Sequence, residues 1–166
     1  MLMTKKITQK RLENIALYYL ERYSSSSENL RTVLRRRLRK EELKGAEVPQ
    51  EAQEWVDKVV LRMQELSYIN DEQYKEGLVR RLKEQGKSAR QIRLKLHEKG
   101  VDGEFASTSE DEYEQALIFL RKKKLGFYRG ETREEYKQKD LQKLALAGFS
   151  YSTAQQVLAL DSAEEI

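Results

Sequence analysis

The chain has 166 residues, of which 36% are charged and 39% hydrophobic, and its formal net charge is +4. It contains no cysteine and one histidine, which excludes disulfide and thiolate chemistry and leaves almost no ligand set for zinc. Because it has no run of about 18 apolar residues and no apolar signal-peptide core in MLMTKKITQK, we expect a cytoplasmic protein without a membrane span.

The charge is unevenly distributed along the chain. Residues 1–44 carry 12 basic and 5 acidic side chains, residues 45–119 carry 11 and 16, and residues 120–166 carry 9 and 7. Two basic ends around an acidic middle favour contact with a long polyanionic or acidic partner at separated points. For any single charge, a solvated helix surface is the simpler interpretation.

The spacing of apolar residues predicts an all-α protein without strands. Helices are expected at 8–23, 27–44, 50–66, 71–85, 88–99, 109–123, 132–147 and 152–160. Their starts carry a small polar residue with Glu or Gln three positions later, and the candidate capping residues are Ser25, Asn70, Ser88, Ser109, Thr132 and Ser152.

Two of these helices end in glycine followed by a large apolar residue, Gly100-Val101 and Gly148-Phe149. Each glycine is expected in the left-handed conformation, which other residues adopt only at a cost. Superposing Leu34, Leu96 and Leu144 aligns the three surrounding segments, which predicts tandem three-helix repeats stacked one after another. The predicted divisions are 1–68 (an N-terminal arm and the first repeat), 69–108, 109–160 and a C-terminal tail at 161–166. A helical bundle with ordinary glycine caps is the alternative.

Basic residues lie in positions that favour a partner-binding surface. Within NLRTVLRRRLRKEELK, arginines recur every fourth residue beside the leucine stripe, and a second basic row follows further round the helix. Arginine suits such a surface because its planar fork pairs with carboxylates and phosphates through two bonds. The alternative is that these charges serve solubility and are paired locally. The candidate contact residues are Arg31, Arg35, Arg36, Arg39, Lys40, Arg80, Arg81, Arg90, Arg93, Lys95, Arg121, Lys122, Lys123, Lys124 and Arg129.

The sequence gives little support for catalysis, a cofactor or a metal. His97 aligns with Arg35 and Ala145, which predicts a surface position, and the glycines form no phosphate-binding loop. Three acidic pairs fall in predicted first helical turns, where they favour the helix dipole, namely Asp71-Glu72, Asp111-Glu112 and Glu134-Glu135.

Nine tyrosines invite a second interpretation, in which exposed rings stack on nucleic-acid bases. Five of them keep the spacing of a helix core, which favours packing with the hydroxyls at the core edge. These five are Tyr18, Tyr19, Tyr23, Tyr74 and Tyr113.

Several separated blocks of the sequence resemble, in order, the RecX family. They lie within RLENIALYYLERYSSSSENLRTVLRRRLRK, DKVVLRMQELSYINDEQYKEGLVRRLKEQGKSARQIRLKLHEKGV and ALIFLRKKKLGFYR, followed by Gly148-Phe149-Ser150-Tyr151. The resemblance covers about 11–160, and the arginine-rich first repeat looks most like alphaproteobacterial members. Lys75 departs from the pattern, because family members commonly have alanine there.

The resemblance implies an elongated, curved array of helical repeats that regulates bacterial RecA recombinase and is not an enzyme. Family members bind RecA–DNA filaments in the helical groove and oppose ATP hydrolysis, strand exchange and co-protease activity. By the same resemblance we expect a cofactor-free monomer, with single- or double-stranded DNA as a further partner. Two alternatives stay open: a helical protein that binds DNA directly without RecA, and a passive helical scaffold.

Overall fold

The computed structural model describes residues 6–162, and within that range it confirms the all-α prediction. No helix in this range is long and apolar enough to cross a membrane. A 3₁₀ segment at Gly126–Thr132 precedes α7. The α-helices are α1 (Gln9–Leu20), α2 (Ser27–Leu43), α3 (Ala52–Glu65), α4 (Asp71–Glu84), α5 (Ala89–Glu98), α6 (Ser109–Lys123), α7 (Arg133–Ala147) and α8 (Tyr151–Ala159).

The chain divides into two compact units. Unit 1 extends to Glu76 and includes Lys99–Val101, whereas unit 2 consists of Gly77–Glu98 and the chain from Asp102 onward. The division into three repeats stays a prediction. Residues 1–5 of the predicted arm and 163–166 of the predicted tail lie outside the described residues.

Each unit has its own apolar core. In unit 1, α1, α2 and α3 enclose a cluster of fully buried side chains that includes Leu12, Leu34 and Met63. In unit 2, α6, α7 and α8 enclose a second cluster that includes Leu120 and Leu144. The predicted helical stripes therefore point inward, since burial of an apolar face is what stabilises a short helix.

Four of the predicted capping residues need correction. Asn70 and Ser88 accept hydrogen bonds from the backbone N–H three residues on, as expected. The caps expected at Ser25, Ser109 and Ser152 are instead Ser26, Thr108 and Ser150, and Thr132 makes no side-chain capping bond, because its hydroxyl donates back to Arg129 O. A run of small polar residues offers several caps, and only tertiary contacts decide among them.

Ser26 begins α2 and also bonds to Lys99, which belongs to the same unit. Its Oγ accepts the Asn29 N–H at 3.1 Å and donates to the carbonyl of Lys99. The next residue, Gly100, has a φ of +63°, which confirms its predicted left-handed conformation. The serine therefore satisfies one helix start and one helix end at once.

Ser88 repeats this arrangement in unit 2. Its Oγ accepts the Gln91 N–H at 3.3 Å and donates to the carbonyl of Ala147 at 2.6 Å. Gly148 follows with a φ of +93°. We call each arrangement a serine–glycine joint, made by Ser26 with Gly100 and by Ser88 with Gly148.

Both joints need glycine for space as well as for conformation. A Cβ on Gly100 would collide with the side chain of Glu28. A Cβ on Gly148 would lie 2.9 Å from Ser88 Oγ and 2.9 Å from Arg90 Nε. Glu28 and Arg90 each stand two residues after the joint serine, so the two joints have the same register.

The structure corrects the interpretation of two tyrosines. Tyr19, Tyr74 and Tyr113 are half-buried, as expected of residues at a core edge. Tyr18 and Tyr23, however, are 63% and 58% exposed. Helical spacing identified these positions as one stripe, but that stripe is wider than the surface that the neighbouring helices cover.

We predict that alanine at Gly148 destabilises the protein more than alanine at Gly45. Gly45 also has a positive φ, +81°, but a Cβ there meets nothing within 4 Å. Gly45→Ala should therefore lose only the left-handed preference, about 1 kcal/mol. Gly148→Ala should lose about 1–3 kcal/mol more, because Ser88 and Arg90 must shift.

Urea unfolding followed by circular dichroism measures both losses. Gly77→Ala is the matched control, since this glycine is helical, has no positive φ and has open space around its Cα; it should gain about 0.5–1 kcal/mol. Equal losses at Gly45 and Gly148 would contradict the close approach in the joint.

Candidate partner-binding surface

The first basic stripe of α2 is partly neutralised by its neighbours. Arg31 Nε donates to Asp57 Oδ1 at 3.0 Å, and its Nη1 donates to Glu28 Oε2 at 3.3 Å. Arg35 lies 3.7 Å from Glu28 and 3.8 Å from Asp57. These ion pairs on the surface contribute little stability, but they offset the two positive charges.

A second pair of guanidiniums holds a buried carboxylate at the C-terminal half of α2. Glu41 is 7% exposed; its Oε2 accepts a hydrogen bond from Arg11 Nη2 at 3.2 Å, and its Oε1 forms an ion pair with Arg37 Nη2 at 3.1 Å. Because Arg11 lies on α1, this carboxylate links two helices. Sequence reasoning missed it, since Glu41 falls on the leucine face and Arg11 lies 30 residues away.

The remaining cations of α2 face solvent. Arg36, Arg39 and Lys40 are exposed, and none forms an ion pair with any residue from 6 to 162. Leu43, on the same side one turn beyond Arg39, is 82% exposed. We call these four residues the α2 outer face. Its three unpaired charges and one apolar side chain are what an acidic protein surface or a phosphate backbone would contact.

The predicted cations of α4 and α5 have different surroundings. Arg80 and Arg81 are exposed and unpaired within the described chain. Arg90 Nη2 donates to the carbonyl of Leu146 at 2.7 Å, beside the joint in unit 2. Arg93 lies 5.8 Å from the centre of the Phe105 ring, and Lys95 pairs with Glu98 at 2.6 Å.

The basic run at the end of α6 points in several directions, as consecutive helical residues must. Arg121, Lys123 and Lys124 are exposed and form no ion pair with a described residue. Lys122 Nζ instead donates to the carbonyl of Gln85 at 2.9 Å, which caps the last turn of α4.

Arg129, another predicted contact residue, forms an ion pair inside unit 2. Its Nε and Nη2 donate to the two carboxylate oxygens of Asp140 at 2.7 and 2.6 Å, and Asp140 is fully buried. Asp140 occupies the position that aligns with Leu30 and Ile92, so here an ion pair replaces an aliphatic side chain. The guanidinium is committed to the core of unit 2.

Hydrogen bonds keep Asp140 ionised in its buried site. Burial alone would raise the pKa of its carboxyl group, but the bonds from Arg129 and from Gly126 N–H at 2.9 Å outweigh burial and lower it. The same bond to Asp140 raises the pKa of Arg129.

Two first-turn acids of α6 do more than favour a helix dipole. The pKa of Asp111 is lowered because it accepts bonds from Lys83 Nζ at 2.8 Å and from Thr108 N–H at 3.0 Å. Burial would raise the pKa of Glu112, but bonds from Ser150 and Thr153 outweigh burial and lower it. Glu112 thereby fixes the start of α8.

The described residues contain no cluster of three His, Asp or Glu side chains that could hold a metal ion. His97 is 78% exposed, which confirms its surface position, and its Nδ1 lies 2.9 Å from Asp102 Oδ1.

Two curated proteins resemble this chain over most of its length. "Regulatory protein RecX" of Myxococcus xanthus (strain DK1622) is 38% identical in an alignment 164 positions long, which covers 93% of this chain and 87% of that protein. "Regulatory protein RecX" of Agrobacterium fabrum (strain C58) is 31% identical in an alignment 156 positions long, which covers 91% of this chain and 83% of that protein. No family model matches the chain, and no solved structure matches it significantly.

We predict that Asp140→Ala destabilises the protein by about 3–5 kcal/mol, because it leaves Arg129 and Gly126 N–H without their acceptor. The double variant Asp140→Leu with Arg129→Met should recover most of this loss, since leucine already occupies the aligned buried position in unit 1, at Leu30. Chemical unfolding of the three proteins measures the difference. If the double variant is as unstable as the single one, the ion pair is not the reason for the loss.

The same pair predicts a pH dependence. The folded pKa of Asp140 lies below its ordinary value of 3.8. Its contribution to stability is therefore complete above that value and is lost as the pH falls through the folded pKa. Unfolding free energies measured from pH 6 to pH 3 should fall more steeply for the natural chain than for the double variant.

Proposed function

The chain belongs to the RecX family of regulatory proteins, and from that premise we propose that it regulates bacterial RecA recombinase. It would bind RecA–DNA filaments in their helical groove and mainly inhibit ATP hydrolysis, strand exchange and co-protease activity. The role is regulatory instead of enzymatic. We further propose that the protein is a cytoplasmic monomer and works without a cofactor.

The α2 outer face carries this proposal. Arg36, Arg39 and Lys40 present three charges that the fold leaves unpaired, next to the exposed Leu43. An acidic surface of RecA would satisfy these charges, and Leu43 would add apolar contact once water is excluded. Arg31 and Arg35, which the sequence favoured equally, contribute less because Asp57 and Glu28 already pair with them.

The exposed cations of unit 2 would supply a second contact. They are Arg80, Arg81, Arg121, Lys123 and Lys124. Since they lie in a different unit from the α2 outer face, each unit would contact its own part of the filament. Once one contact is made, the next is effectively intramolecular, which raises the overall affinity without any single strong contact. Binding at several points would hold RecA protomers away from the geometry needed for turnover.

Direct binding to DNA without RecA is the second candidate function. The same unpaired cations would serve phosphate groups, and such binding weakens steeply with salt. Against it stands the acidic stretch at 45–119, with 11 basic and 16 acidic residues, which would repel a continuous phosphate track. A passive scaffold would depend on neither RecA nor DNA.

We predict that Arg36→Ala with Arg39→Ala weakens inhibition of RecA. The RecA ATPase, measured on single-stranded DNA with increasing amounts of this protein, should need at least about tenfold more of the variant for half-inhibition, a loss of about 1.4 kcal/mol. An unchanged ATPase with the natural chain, together with no binding to filaments, would refute the proposed function.

The matched control is Lys58→Ala with Arg62→Ala on α3. Both side chains are exposed, and the double substitution again removes two positive charges. In the natural chain, however, these cations pair with Glu54 and Glu65. The control should inhibit nearly as well as the natural chain. If both double variants lose inhibition equally, only the net charge matters and the α2 outer face has no special role.

A further inference from the structure

The loop between α5 and α6 contains an aspartate followed by glycine, Asp102-Gly103, which the regulatory proposal does not use. The chain has six aspartates and three asparagines, and of these Asp102 alone precedes a glycine. Four of the other aspartates lie within helices, namely Asp57, Asp71, Asp111 and Asp140. Outside a helix, the backbone of an Asp-Gly pair is free to bring the carboxyl group to the next amide nitrogen.

Both residues are open to water, and the fold does not hold the peptide that joins them. The side chain of Asp102 is 66% exposed, and Gly103 is exposed as well. The Gly103 N–H forms no hydrogen bond with any residue from 6 to 162. Its φ of +133° lies in a region that favours glycine. An unbonded amide nitrogen on a residue without a Cβ is the least hindered backbone nucleophile that a neighbouring carboxyl group can meet.

We propose that Asp102 forms isoaspartate spontaneously and that His97 slows this reaction. The Gly103 nitrogen bonds to Cγ of the neutral Asp102 carboxyl group, a bond from Cγ to oxygen breaks, and the oxygen leaves as water with the amide proton. Attack within one dipeptide is favoured because the two groups are already held together. The product is a succinimide ring.

Water then opens the ring at one of its two carbonyls. Opening at Cγ restores aspartate, whereas opening at the main-chain carbonyl of Asp102 leaves Gly103 bonded to Cγ and sets free a new carboxylate. One water is released and one is taken up, so the reaction needs no oxidant, reductant or further reagent. The backbone gains one carbon atom in the stretch that leads to Phe105, whose ring centre lies 5.8 Å from the guanidinium carbon of Arg93. The modification therefore changes the surroundings of a candidate contact residue.

A hydrogen bond from His97 opposes the reaction. His97 Nδ1 donates to Asp102 Oδ1 at 2.9 Å, and this bond must break before the carboxyl group is free to react. Because the side chain of His97 is 78% exposed, the restraint is as weak as other exposed ion pairs, and it slows the reaction without preventing it. Asp161, the other aspartate outside a helix, pairs with Arg133 and precedes Ser162, whose Cβ hinders attack.

The inference does not depend on regulation of RecA, and its test uses the full chain alone at physiological temperature and pH. Isoaspartate is located by peptide mass spectrometry with electron-transfer fragmentation, since the two linkages have the same mass. Its total amount is measured by methyl transfer from S-adenosylmethionine with an isoaspartate-specific methyltransferase. It should accumulate with time at Asp102 before it appears at Asp161. Absence of isoaspartate from the Asp102 position, or earlier accumulation at Asp161, would show that the proposal is wrong.

Three variants test the chemistry and the role of His97. Asp102→Glu keeps a carboxylate but needs a larger ring, so modification at this position should be lost. His97→Ala should speed accumulation roughly two- to fivefold, the factor that loss of an exposed charged hydrogen bond allows. Leu94→Ala is the matched control, because it removes another exposed side chain of α5, and its rate should equal that of the natural chain.

The variants also show which part of the proposal fails. Equal rates in His97→Ala and Leu94→Ala would contradict the restraint by His97. Modification that persists in Asp102→Glu would contradict the succinimide. Circular dichroism of each variant confirms that its helices are kept, so that a changed rate reports the loop and not unfolding.

Discussion

Each unit depends on a serine hydroxyl that donates to the carbonyl just before a left-handed glycine. In unit 1 Ser26 makes this bond to Lys99, and in unit 2 Ser88 makes it to Ala147. The same hydroxyl accepts a backbone N–H at the start of its own helix, so one side chain satisfies groups from two helix termini. Because any Cβ on Gly100 or Gly148 would meet the helix that carries the serine, the contact fixes the distance between the two helix ends as well as their hydrogen bonding.

The packing of α2 against its neighbours decides which of its basic residues are paired. Where α2 faces α3, Asp57 offsets Arg31 and Arg35, and Glu41 at the buried edge takes up Arg37 and Arg11. Among the cations of α2, those on the side turned away from its neighbours stay unpaired within the part of the chain that the structure describes. A helix rich in arginine is thus divided by its packing into a structural side and a side available for a partner, and the division cannot be made from charge alone.

Local pattern was enough to predict the eight helices and the two left-handed glycines, since periodicity, caps and glycine chemistry act over a few residues. It failed where the partner is distant in the chain. Asp57 lies 26 residues from Arg31. Asp140, the partner of Arg129, aligns with the aliphatic residues Leu30 and Ile92 of the other two segments. It also failed for Tyr18 and Tyr23, because a stripe at helical spacing shows which residues share a side but not how much of that side is covered. The serine run 24–27 resembles a flexible linker, yet Ser25, Ser26 and Ser27 are buried and each makes side-chain hydrogen bonds.

The joint also accommodates opposite charges at one neighbouring position. Two residues after the serine stands Glu28 in unit 1 and Arg90 in unit 2, so the same pairing of serine and glycine carries opposite charges at equivalent points. The joint is formed by a hydroxyl, a carbonyl and the absence of a Cβ, and each head group makes its own contacts beside it, Glu28 with Arg31 and Arg35 and Arg90 with the Leu146 carbonyl. One joint therefore places a carboxylate among arginines and the other places a guanidinium on a helix end, so the same serine and glycine support two different electrostatic surroundings.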